Sequence, residues 1–98
     1  MGSPDCSDKL RLLANRTRME VVEALLADGP LHVFEINERL NVEPTLLSHH
    51  MRLLREAGLV EAERDGKAVL YRLAPGVRAA RGRGVDLDCC VLSFPPRR

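Results

Sequence analysis

The chain has 98 residues with 45% hydrophobic and 30% charged side chains, the length and composition of one globular domain with a single core. No apolar run approaches the roughly 18 residues of a membrane-spanning helix, so the sequence predicts no membrane association. With a net charge of +1 and only one Tyr and two Phe, the chain is neither a polycation nor an aromatic stacking platform, and affinity for nucleic acid must come from locally placed Arg and Lys on a duplex.

Asp8 to Ala14 carries a short helical stripe of Leu10, Leu12 and Leu13. Asn15 is a good N-cap for a second helix over 16–27, in which Met19, Val22 and Leu26 share one face, with Val21 and Leu25 beside it. Asp28-Gly29-Pro30 ends it. An extended entry at 31–33 precedes a third helix over 34–40, anchored by Phe34, Ile36 and Leu40. Asn41 tolerates the left-handed conformation that a tight turn demands, so the turn is placed at 41–43. Pro44 suits the first position of a fourth helix over 44–57, where Leu47, Met51 and Leu54 recur on the core face and Gly58 closes the helix.

Two extended segments, 59–64 and 67–73, flank Asp65-Gly66, a strong hairpin signal, and Val69, Tyr71 and Leu73 alternate onto one face. The Arg- and Gly-rich stretch 77–84 has no period. Residues 85–94 have strand character, and 95–98 read as a fraying end. The expected organisation is a flexible segment over 1–7, a folded domain over 8–75 and an extension over 76–98.

Helix, helix, helix, three-residue turn, helix and hairpin is the plan of a winged helix-turn-helix: mainly α, with a β-hairpin wing and here an extra C-terminal strand. In that plan the helix after the short turn enters the major groove and its N-terminal half meets base edges. The hairpin lies beside it, with Arg64 and Lys67 at its tip.

Three stretches carry a more specific signal. Leu13-Ala14-Asn15-Arg16-Thr17-Arg18, the run from Leu47-Ser48-His49-His50-Met51-Arg52 through Ala57-Gly58-Leu59-Val60, and the wing residues 64–67 with Tyr71-Arg72-Leu73 together resemble the ArsR/SmtB family of transcriptional repressors over residues 8–75. The resemblance implies that Ser48, His49 and Arg52 approach DNA, that Thr45 reaches a phosphate or base edge near the helix start, and that Arg64 and Lys67 meet the backbone. His50 has two readings, DNA contact or core packing; Arg55 and Arg72 read as ordinary solvated or salt-bridged charges. Glu43 stands where the family often has Ser or Thr, and Leu46 where it often has a small or hydroxyl residue. Leu46 can meet only an apolar feature such as a thymine methyl.

Cys6, Cys89 and Cys90 are an odd set, which points away from a disulfide framework and towards free thiols or ligands. The helix before the expected recognition helix has no thiol, and after Tyr71 there is no histidine, so two effector sites that the resemblance suggests are absent. Three thiolates suit a pyramidal trivalent As(III) or Sb(III) centre, which needs no fourth ligand. Zinc would need a fourth donor, such as His32, a carboxylate or a partner subunit. In a regular strand Cys89 and Cys90 would point to opposite faces, so joint ligation requires a break there. The competing readings are that Cys89 packs as a small hydrophobe and Cys90 is incidental, or that the thiols form an oxidation or persulfide switch.

No cofactor is required. The expected protein is a cytoplasmic homodimeric repressor on a pseudo-palindromic double-stranded DNA operator, with terminal elements at the subunit interface as the resemblance implies. Nothing supplies an orienting third group or an oxyanion loop for Cys-His catalysis, so an enzyme is not expected. A different class is also open, a protein-interaction module pairing residues 85–94 with a partner's sheet edge.

Overall fold

The computed structural model describes residues 5–95; the rest of the expected N-terminal segment and of the C-terminal end, residues 1–4 and 96–98, lies outside the described residues. Four helices, α1 (Cys6–Leu13), α2 (Arg16–Asp28), α3 (Val33–Leu40) and α4 (Pro44–Glu56), enclose one apolar core. A three-stranded antiparallel sheet covers it, in the order β1 (Leu31–His32), β3 (Ala68–Leu73), β2 (Val60–Asp65). A second hairpin, β4 (Gly84–Asp86) with β5 (Val91–Ser93), follows.

The helix boundaries come from local chemistry. α1 starts two residues before the expected Asp8, because Asp5 and Asp8 form a reciprocal capping box. Cys6 is therefore helical rather than part of a flexible arm. Asn15 caps α2 through its side chain, which accepts from the Arg18 amide, and Gly29 leaves α2 at φ +77°. Asn41 takes the left-handed conformation at φ +53°, making the tight turn into α4 as its residue type suggested. At Glu43 the carboxylate accepts from the amides of Thr45 and Leu46, so this residue serves as the N-cap in place of Ser or Thr. These two amide bonds hold the Glu43 carboxyl below its usual pKa.

Leu47, Met51 and Leu54 are buried, packed with Val21, Val22, Leu25, Ile36 and Leu13. Truncating one such Leu to Ala costs about 2–5 kcal/mol. Tyr71, buried at the centre of β3, pairs with Leu31 of β1 on one side and Ala62 of β2 on the other, so the short entry strand locks the wing to the start of α3.

Two β segments differ from expectation. The register pairs Asp65 with Ala68, which places the two-residue turn at Gly66-Lys67 rather than Asp65-Gly66. Only Gly66 has positive φ there, +64°, the pattern of a type II′ turn with Gly in its first central position. Residues 85–94 are not one strand but two short strands joined by a turn over 87–90. Leu87 N–H donates to the Cys90 carbonyl, and the Asp86 carboxylate accepts from the Asp88 amide, with Asp88 at φ +77°. Gly84 is required at the other end, since a Cβ there would lie 2.4 Å from the Leu92 carbonyl oxygen. Residues 76–95 pack onto the main core through Val77, Val85 and Leu87. Arg78 also donates to the carbonyls of Leu25 and Leu26 near the end of α2.

Candidate nucleic-acid interface and thiol cluster

The outer face of α4 is built by the same periodicity that buries its inner face. Thr45, Leu46, Ser48, His49, Arg52 and Arg55 are exposed. Five of these residues, with Tyr71, line a shallow concave surface: Thr45, Ser48, His49, Arg52 and Arg55. Arg52 lies 3.3 Å from Nδ1 of His49. Leu46 remains half open to solvent in the first turn, at 48% exposure, on a helix start otherwise lined by hydroxyl and imidazole groups.

His50 takes the inward of its two expected positions. It is buried, and its Nδ1 accepts from Nε of Arg18 at 3.0 Å. Burial, the Arg18 charge and the neighbouring His49 lower its pKa below the usual imidazole value. The expectation of a DNA contact from this ring is corrected by that inward bond.

On the wing, charge pairing decides which groups stay free. Arg72 pairs with Glu63, matching its reading as a salt-bridged surface charge. Asp65 meets Nε2 of His32 at 2.8 Å, while Nδ1 of His32 meets Glu35 at 3.0 Å. The Asp65 and Glu35 hydrogen bonds raise the His32 pKa. The wing tip thus presents two exposed cations, Arg64 and Lys67, without a carboxylate partner among the described residues.

The three cysteines come together from opposite ends of the chain. Cys6, in the first turn of α1, is joined by a disulfide to Cys89, across a sequence separation of 83 and a Cα–Cα distance of 5.8 Å. The expectation that all three are free thiols or ligands is corrected for this form: Cα atoms this close are within disulfide reach. Cys90 is the free thiol. Its sulfur lies 3.9 Å from that of Cys6 and 3.8 Å from that of Cys89. All three sulfurs fall within 4.8 Å of one another, close enough for one thiophilic ion to reach all three once the Cys6–Cys89 bond is reduced. The turn over 87–90 is the strand break that joint ligation by adjacent cysteines requires. Lys9 adds a second tie between α1 and this turn, donating to the Leu87 carbonyl at 3.4 Å.

Sequence reasoning missed three contacts: Arg18 to His50, His32 to Asp65, and the Cys6–Cys89 bridge. None leaves a periodic signal, because each pair is separated by more than 30 residues.

A short turn between α3 and α4, an exposed polar face on α4 and an adjacent wing define a winged helix-turn-helix regulator fold. Residues 13–63 match a family model described as a helix-turn-helix domain. The chain is 36% identical over 76 residues to the arsenical resistance operon repressor of Escherichia coli, covering 78% of this chain and 65% of that protein. It is 42% identical over 65 residues to the HTH-type transcriptional repressor SmtB of Mycobacterium tuberculosis, covering 66% of this chain and 47% of that protein. The match therefore spans less than two thirds of the length of these relatives. Among solved structures, HlyU from Vibrio cholerae superposes with a TM-score of 0.64 at 35% identity, over 67% of this chain and 71% of that one. The chain belongs to the ArsR/SmtB family, a family of transcriptional regulators rather than enzymes. No helix among the described residues is long and apolar enough to cross a membrane.

Proposed function

We propose that this protein is a homodimeric repressor that binds a pseudo-palindromic DNA operator and releases it when a trivalent arsenical or antimonial is captured by Cys6, Cys89 and Cys90. The convergence of three sulfurs from the two ends of the chain carries the effector reading. The naming of the E. coli relative as an arsenical resistance repressor supports it. With the thiols reduced, arsenous acid exchanges its three hydroxyls for three thiolates and releases three waters. No other donor is needed.

DNA is engaged by Thr45, Ser48, His49 and Arg52 from α4, with Arg64 and Lys67 on the phosphates beside it. The exposure of these side chains supports the assignment, as does the absence of a carboxylate partner for Arg64 and Lys67 among the described residues. Placement of the protein in the cytoplasm accords with a reducing compartment that would keep the three thiols available.

The Cys6–Cys89 disulfide favours a second reading, a thiol redox switch. A peroxide accepts the two electrons and two protons that these thiols release and leaves as two waters. Oxidation and arsenical capture then compete for the same sulfurs.

The test is fluorescence-anisotropy titration of a duplex selected from a random-sequence pool by the reduced protein. Arsenite should release the parent and should fail to release Cys89→Ser or Cys90→Ser. Equal release of all three by arsenite refutes the arsenical reading. Release by peroxide but not by arsenite, reversed by dithiothreitol, assigns the redox reading instead.

A further inference from the structure

Arg18 joins the three elements that an effector at the sulfurs would have to couple. Its own amide is fixed by the Asn15 cap at 3.0 Å, so the side chain leaves the first turn of α2 from a defined position. One guanidinium nitrogen donates to the Leu12 carbonyl, in the last turn of α1, at 3.1 Å. Nε donates to Nδ1 of His50, on α4, at 3.0 Å. No carboxylate pairs with Arg18 among the described residues. A planar, rigid fork holding two neutral acceptors on two different helices fixes their relative position. A charge pair would not.

The other end of α1 is the thiol site. Cys6 and the Leu12 carbonyl lie at opposite ends of an eight-residue helix, a rod about 12 Å long. Cys6 is tied to Cys89, and Lys9 to the Leu87 carbonyl. On α4, His50 directly follows Ser48 and His49, whose side chains are exposed on the opposite face.

We propose that Arg18 is the positioning residue through which the state of the three sulfurs sets the attitude of α4. The proposal rests on the effector reading above. Drawing Cys6 onto a three-sulfur centre moves α1 as a unit and takes the Leu12 carbonyl from one arm of the fork. Arg18 then cannot hold both acceptors, and His50 loses the bond that fixes the register of Ser48 and His49 on DNA.

The test compares the reduced parent with Arg18→Lys, which keeps the charge but loses the fork, and with His50→Leu and His50→Asn. Asn places an amide oxygen near the position of Nδ1. Two readouts are taken on each protein: the ultraviolet absorbance of arsenic–thiolate bonds during titration with sodium arsenite, and affinity for the selected duplex before and after arsenite. The parent should lose about tenfold or more in DNA affinity, within the range of ordinary allosteric coupling. Arg18→Lys should show the same arsenite titre but start about tenfold or more below the reduced parent in DNA affinity, like the parent loaded with arsenite, and lose less than about threefold further on adding arsenite. His50→Leu should be uncoupled in the same way, and His50→Asn should recover most of the parent's response.

Full release of both Arg18→Lys and His50→Leu overturns the proposal. So does an Arg18→Lys protein that no longer takes up arsenite, which gives Arg18 a merely structural role, or one that keeps the reduced parent's DNA affinity, which shows that its bond to His50 does not hold α4 on DNA. A parent that takes up arsenite and keeps its DNA overturns the effector reading, and the proposal with it. That result is distinguishable, because the parent and not only the variants fails to respond.

Discussion

The double substitution Arg64→Gln/Lys67→Gln removes the two wing cations that have no carboxylate partner among the described residues. In a dimer this deletes four positive charges. If each sits on a phosphate, the plot of log affinity against log salt becomes shallower by about 3.6, at about 0.9 per phosphate on duplex DNA. Between 50 and 200 mM salt, a log interval of about 0.6, the parent's advantage over the variant should therefore shrink by about 2 log units. The assay is anisotropy of the selected duplex at four or more salt concentrations. Arg72→Gln is the control: Arg72 is paired with Glu63, so its removal should leave the slope within about half a unit of the parent. Parallel lines for the parent and the double variant would refute the placement of the wing on the DNA backbone. A loss of about 1.8 would assign one phosphate contact per wing instead of two.

Two further predictions concern the fold and its titration. The Cys6–Cys89 bridge closes a loop with a sequence separation of 83, worth up to about 4.5 kcal/mol by loop-closure entropy. Oxidised parent should thus unfold at higher urea than Cys6→Ser, by about 2–4.5 kcal/mol, and the difference should vanish in reductant; coincident oxidised curves would exclude the bridge. His50 and His32 should titrate on opposite sides of the unfolded value of about 6.5. His50, lowered by burial, resists protonation in the fold, so its contribution to stability is complete above that value and is lost as pH falls below it towards its lowered pKa. His32, raised by Asp65 and Glu35, contributes fully below that value, and its contribution is lost as pH rises through its raised pKa. Ring-proton chemical shifts followed against pH check both; a His50 midpoint above that of His32 would contradict the assignments.

Local signals carried the four helices. Asn15, Asn41, Pro44 and Gly58 each impose a backbone requirement that does not depend on tertiary context, and the Leu47, Met51, Leu54 spacing identifies the buried face of α4. The wing was legible as a hairpin, but its turn was misplaced by one residue: Asp-Gly and Gly-Lys fit the same alternation, and only pairing with β3 selects between them. Residues 85–94 read as one strand because two short strands separated by an Asp in positive φ show the same apolar run. Glycine would have marked that break; Asp88 does not. The thiol cluster was legible as residue types but not as a bridge, since nothing local relates Cys6 to Cys89. Arg18 was invisible as a connector because both of its acceptors lie on other helices.

The central claim is that the outer face of α4 reads DNA. It is tested most directly by measuring the affinity of the reduced protein for its selected duplex and for a scrambled duplex of equal length at one salt concentration, in the parent and in Ser48→Ala and His49→Ala. The account predicts that each substitution lowers the preference for the selected duplex by about 1–3 kcal/mol and leaves affinity for the scrambled one nearly unchanged. An undiminished preference in both variants would contradict it.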